Sequence, residues 1–112
     1  MQRMQPLTCE GAVTCIFDLN KLDLAVLNTL REHGPLRADE IALHLNRERS
    51  TVYRSLQKLT HCGICIKKTK TIAKGGYYHV YESCNISRLR QEAERFLDEW
   101  YHSMKKILKE LH

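Results

Sequence analysis

Nowhere in the 112 residues is there an apolar run of about 18, the length a membrane-spanning helix needs. Met1 to Phe17 carries one cation, Arg3, and no continuous apolar stretch of signal-peptide length. The chain therefore reads as intracellular, with a cytoplasmic site of action and no membrane partner expected. A glycine-rich phosphate loop, a nucleophile elbow and a paired-histidine metal signature are all missing. Asp39-Glu40 reads as a helix start, and no Ser or Cys sits in a recognisable nucleophile setting. Neither an enzyme nor a cofactor is expected. Internal repeats and low-complexity segments are also lacking, and Gly34-Pro35 and Gly75-Gly76 are the strongest breaks in the chain.

Cysteine is present in an odd number, five, and 43% apolar residues can build a core without a disulfide framework. Cys62-x-x-Cys65 has metal-ligand spacing with His61 beside it, and Cys9 and Cys15 lie upstream. A four-ligand zinc site needs a second close pair, and five residues between Cys9 and Cys15 is not the usual spacing. Cys62 ends a helical stretch while Cys65 enters a strand-like one, so their side chains should diverge. Small buried or half-buried thiols are the plain reading. The alternative is a redox pair or metal clip from Cys9 and Cys15, with Cys84 left unpaired. The six histidines are scattered, one per element.

Eighteen Lys and Arg against 13 Asp and Glu give a formal +5, a total that permits a polyanionic partner without identifying one. Its distribution says more. From Arg47 to Lys74 there are eight cations and one acid, Glu48, so that window carries +7. The other 84 residues hold ten cations against twelve acids, or −2.

Apolar periodicity divides the chain. Leu19, Leu22, Ala25, Val26, Leu27 and Leu30 recur at helical steps to His33, where Gly34-Pro35 stops them. A short helix follows from Ala38 to Leu45 with Ile41, Ala42 and Leu45 inward. After Asn46-Arg47-Glu48, another runs from about Arg49 to His61 with Val52, Leu56 and Leu59 inward. Gly63 suits the left-handed position past its end. The period then falls to two: Ile64 and Ile66 alternate with Cys65 and Lys67, and Tyr77 to Tyr81 is a second β-rich run beyond Gly75-Gly76. Together these read as a hairpin. From Ile86 onward Leu89, Ala93, Phe96, Leu97, Trp100, Met104, Ile107, Leu108 and Leu111 continue one apolar stripe, with Arg88–Glu92, Arg90–Glu94 and Arg95–Glu99 expected as i,i+4 pairs on the other face.

The result is a mostly α chain with a small β-hairpin (α+β), in winged helix-turn-helix order, ending in a long C-terminal dimerisation helix. Residues 1–18 form an N-terminal arm, 19–83 the winged helix domain and 84–112 the terminal helix. In this order a short turn exposes one face of the third helix to a major groove, and the hairpin reaches the neighbouring backbone.

Leu36-Arg37-Ala38-Asp39-Glu40-Ile41-Ala42, then Arg49-Ser50-Thr51-Val52-Tyr53-Arg54-Ser55-Leu56-Gln57-Lys58-Leu59 and Gly63-Ile64, resembles archaeal transcriptional regulators of the MarR/TrmB type. The resemblance covers Leu19 to Glu82. Two features differ from many relatives: Arg37 stands where a Ser or Thr usually caps the second helix, at a cost of ~1 kcal/mol, and Arg47-Glu48 replaces an aliphatic turn residue and a Ser or Asp cap.

The resemblance implies double-stranded DNA as partner. Arg49, Ser50, Thr51, Tyr53, Arg54 and Gln57 would meet the major groove, since Arg can grip guanine and Gln adenine. Arg47, Lys58 and the wing residues Lys67, Lys68, Lys70 and Lys74 would hold phosphates. It also implies a homodimer, through Leu89, Phe96, Leu97, Trp100, Met104, Ile107 and Leu111. Two other readings stay open: a redox- or metal-responsive switch using Cys9, Cys15, Cys62 and Cys65 to gate DNA binding, and a winged-helix interaction module of the transcription machinery with no operator of its own.

Overall fold

A computed structural model describes residues 9–111, with side chains from residue 11 onward. Its elements are α1 (Cys9–Phe17), α2 (Lys21–His33), α3 (Ala38–Leu45), α4 (Arg49–His61), β1 (Cys65–Thr71), β2 (Tyr77–Ser83) and α5 (Ile86–Leu108). This is the winged-helix order expected from the sequence.

Each boundary has a local cause. Asn20 caps α2: its side chain accepts the Asp23 N–H at 2.8 Å, and the Asp23 carboxylate accepts the Asn20 N–H at 3.0 Å. The helix thus starts two residues later than the apolar pattern suggests, because Leu19 contributes to the core from outside it. Gly34, at φ 79°, ends α2. Arg37 offers α3 no side-chain acceptor, but Glu40 takes the Arg37 N–H at 2.9 Å, which secures half of a capping box. Asn46 adopts φ 51°, and the Arg47 N–H closes onto the Ala42 carbonyl at 3.0 Å. That left-handed residue makes the sharp turn between α3 and α4.

Leu30, Ile41, Leu56, Leu59 and Ile64 are fully buried, which joins α2, α3, α4 and the root of the wing in one core. Each such side chain contributes about 1.5–3 kcal/mol relative to its exposed state. The strands pair antiparallel from Cys65 with Ser83 to Thr71 with Tyr77. Leu36 adds one bridge, exchanging hydrogen bonds of 3.0 and 2.8 Å with Tyr81. The base of the wing is thereby tied to the segment before α3.

Two elements differ from the sequence expectation. Most of the second half of the N-terminal arm is helical, as α1, whose last residue Phe17 is buried against Phe96 at 5.0 Å between ring centroids. Its segment, Cys9 to Phe17, has few polar residues and so shows no amphipathic period. The terminal stripe also divides. Leu89, Ala93 and Phe96 pack on the domain core, whereas Leu97, Trp100, Met104, Ile107, Leu108 and Leu111 are exposed. The outer half of α5 stands away from the domain: the radius of gyration is 17.0 Å, against about 13 Å for a spherical domain of this size. Of the expected ion pairs, Arg88–Glu92 and Arg95–Glu99 form at 3.5 and 3.2 Å. Arg90–Glu94 does not form among the described residues; instead Arg95 also reaches Glu92, at 2.7 Å.

Candidate nucleic-acid interface

The α4 helix has a sharply two-sided character. Val52, Ser55, Leu56 and Leu59 are buried, and Arg49, Ser50, Arg54, Gln57 and His61 are exposed opposite them. Tyr53 lies half-buried between the exposed Arg49 and Gln57 on the helical wheel. Arg47 is exposed in the turn before the helix. Among the described residues neither Arg47, Arg49 nor Arg54 has an ion-pair partner. The positive charge of this face is therefore not neutralised from within the fold.

Lys58 has another occupation. Its Nζ lies 2.8 Å from the Asp23 carboxylate of α2 and also donates to the Asp18 carbonyl. The Ser55 hydroxyl donates to the other Asp23 oxygen at 2.6 Å. Burial acts to raise the Asp23 pKa, but the Lys58 ammonium, the Ser55 hydroxyl and the Asn20 N–H outweigh it and hold the carboxyl below its ordinary value. The same contact raises the Lys58 pKa. Thr51, seven residues before Lys58, lies two helical turns away on the same flank and is half-buried. Thr51 and Lys58 thus sit at one margin of the face and not at its centre.

The wing lies beside this face. Lys67, Lys68, Lys70 and Lys74 are all exposed along β1 and the turn. Lys68 is paired with Glu82 across the hairpin at 2.7 Å, whereas Lys67, Lys70 and Lys74 have no ion pair among the described residues. Gly75 and Gly76 both take positive φ, 105° and 90°, to close the tip. A groove of about 290 Å³ between α4 and the wing is lined by Tyr53, Gln57, Thr60, His61, Lys67 and Tyr81. On the other side, Arg49 and Tyr53 share a cleft of about 280 Å³ with the start of α3 and with Tyr78, His79 and Tyr81 of β2. Arg37 lies in that cleft with its guanidinium 4.9 Å from the centre of the Tyr78 ring. Sequence reasoning took Arg37 only as a missing helix cap. The available sign in the sequence was only its positive charge, since α3 after it holds two acids and the cationic α4 begins at Arg49.

Cys62, Cys65 and Cys84 share one region of the core, Cys84 packing against the cluster that holds the other two. Cys62 and Cys65 are buried, Cys84 is half-buried and Cys15 is exposed on α1. The side chain of Cys9 lies outside the described residues. Among those residues no three His, Cys, Asp or Glu side chains are placed to hold a metal ion. Burial pushes the thiols of Cys62 and Cys84 up, and that of Cys65 to about 12.

Residues 14–87 match the family described as "Sugar-specific transcriptional regulator TrmB". An uncharacterised protein of Methanocaldococcus jannaschii is 34% identical over 104 residues, which span 93% of this chain and 79% of that protein. A possible transcriptional regulator from Methanosarcina mazei Go1 superposes with a TM-score of 0.76 at 24% identity, covering 98% of each chain. TrmBL2, an archaeal chromatin protein whose structure shows a novel mode of DNA binding, superposes with a TM-score of 0.59 at 21% identity, over 88% of this chain and 35% of that one. Among the described residues no helix is long and apolar enough to cross a membrane. The family match spans α2, α3, α4, the turn between α3 and α4 and the whole wing, and the chain belongs to the TrmB family of transcriptional regulators.

Proposed function

We propose that the chain is a double-stranded DNA-binding transcriptional regulator of the cytoplasm that acts as a homodimer and prefers particular sequences. The observation that carries this reading is the unneutralised cationic face: Arg47, Arg49 and Arg54 are exposed, lack ion pairs among the described residues, and flank a wing with three unpaired lysines. A protein surface that keeps charges unpaired gains most from a partner that releases counterions as they are met. In this reading Arg49, Ser50, Tyr53, Arg54 and Gln57 approach the bases, with Thr51 at the margin. Arg47, Lys67, Lys68, Lys70 and Lys74 hold phosphates. Lys58 is left out, because Asp23 already holds its ammonium.

The homodimer is supported by the outer half of α5, whose apolar side chains are largely exposed. Two-fold symmetry then offers two α4 helices to one duplex, with half-sites ~10 bp apart or a multiple of that. TrmBL2, which shares the fold, is a DNA-binding precedent. Selection of sites from random duplex DNA at two salt concentrations tests the reading. A roughly palindromic preferred site, bound much less tightly at the higher salt, is expected. Weak binding without preference points instead to a protein-interaction module.

A further inference from the structure

We propose that the C-terminal half of α5 from a second copy of this chain, running antiparallel, fills the cleft between α1, α2 and the first turns of α5. This rests on the homodimer reading and gives it a register. The cleft is about 540 Å³ and mostly apolar, with Val13, Leu24, Leu27 and Leu89 in its wall and Arg31 and Arg90 as cations. That is room for several aliphatic side chains, and the outer half of α5 carries an exposed set of them.

Ile86, Arg90, Ala93, Leu97, Trp100, Met104, Ile107 and Leu111 follow one another at alternating steps of four and three, with Leu111 in the turn that continues α5 past Leu108. This is a seam of period 3.5, the pattern of two helices that wind about each other. The last five are exposed by 47%, 61%, 37%, 56% and 72%. An antiparallel pair sets alternate seam positions against each other, in the layers Ile86 with Leu111, Arg90 with Ile107, Ala93 with Met104, and Leu97 with Trp100. The small Ala93 meets the large Met104 of the partner subunit, and each copy's cleft receives the partner's Met104, Ile107 and Leu111.

Arg90 decides the direction. It is the single charged residue of the seam, and it lines the cleft without pairing to Glu94, the acid one turn on. In a parallel pair Arg90 would face its own twin in an apolar seam, and the cleft would stay open beside two identical first turns. In the antiparallel pair it lies against Ile107 of the partner subunit, within a turn of the partner's Glu110 and near the negative end of that helix. Arg31 adds to the same complementarity.

The test is disulfide capture in the full chain with Cys9, Cys15 and Cys84 changed to serine. Ala93→Cys and Met104→Cys are introduced together and separately, then oxidised mildly. Within one helix these positions are about 16 Å apart and cannot join. The double variant should run mainly as a covalent dimer on a non-reducing denaturing gel, and each single variant as a monomer. Ile86→Cys with Leu111→Cys, at two exposed positions, should behave the same way and covers the case in which Ala93→Cys disturbs the core. Linkage by Met104→Cys alone would show a parallel pair and overturn the register while leaving the dimer in place. No linkage by either pair, in a protein that sediments as a dimer, would also overturn it. A monomeric mass for the unaltered chain would remove the dimer and the register together.

Discussion

Lys58, on the helix proposed to enter DNA, turns its ammonium back to within 2.8 Å of the Asp23 carboxylate on α2. Asp23 is 1% exposed, and Ser55 from the same α4 helix donates to its second oxygen. One buried acid therefore holds two successive turns of α4 from beneath. Lys58→Met leaves that acid with only Ser55 and Asn20, and should cost about 3 kcal/mol, the low end for a broken buried pair because the lysine itself is partly solvated. DNA affinity of the folded fraction should change less than twofold. Chemical denaturation and a binding titration on the same preparation check both halves of this expectation.

The pH dependence follows from the same carboxyl. Its pKa in the folded chain lies below its ordinary value. The stability it contributes is therefore fully present above the unfolded pKa of about 3.9 and is lost as pH falls through the lower, folded value. Melting temperatures recorded from pH 6 down to pH 2.5 should drop at the acid end in the unaltered chain. Asp23→Asn should be less stable at neutral pH and should show a shallower acid-side decline.

Removal of a side chain proposed to read bases and of one proposed to hold phosphate should be distinguishable. Arg54→Ala is expected to weaken the preferred site by about 1–3 kcal/mol and to relax preference at one base pair. Lys70→Ala should weaken all sequences alike and lower the salt slope by about one. Titration of preferred and scrambled duplexes over a salt series measures both effects. Identical behaviour of the two variants would refute the division of roles.

Gly63 is held at φ +81°, and a Cβ there would lie 3.0 Å from the Glu92 side-chain carbon. Arg88 and Arg95 anchor that carboxylate, so it has little freedom to yield. Gly63→Ala should cost about 1–2 kcal/mol from the left-handed backbone alone. Glu92→Ala in the same chain should relieve the crowding and leave the backbone cost, a separation that denaturation curves of the three variants will show.

Among the described cysteines, only Cys15 should react quickly with a thiol reagent near pH 8. Cys15 is exposed, whereas burial holds Cys65 protonated up to about 12 and pushes Cys62 and Cys84 upward. Mass spectrometry after timed alkylation, native and then in denaturant, reads the order directly. Prompt labelling of Cys65 in the native chain would contradict its burial.

The helices around the turn and the hairpin were legible because each announces itself locally. Val52, Leu56 and Leu59 mark one face of α4, Gly63 its end, and Gly75-Gly76 the wing tip. The bounds of α3 and α4 coincide with those read from spacing. What escaped depends on distant partners. Lys58 looks like any other cation of α4 until Asp23, 35 residues earlier, is brought beneath it. Leu89 and Phe96 look like Leu97 and Trp100 in the stripe, and only the packing of α1 and the core divides inward from outward. The segment of α1 itself, with little polar contrast along it, gave no period to read.

The bridge between Leu36 and Tyr81 makes the wing a cantilever. Its fixed end is clamped by two hydrogen bonds to the segment that leads into α3, and by the burial of Tyr81 and Cys65. Its free end, from Ile72 to Gly76, is exposed throughout. Bending is thus confined to the outer hairpin, where Lys70 and Lys74 sit, while the clamped end moves with α3 and α4 as one piece. In the proposed complex such a lever would let the tip follow a duplex of varying groove width without disturbing the register of the helix beside it.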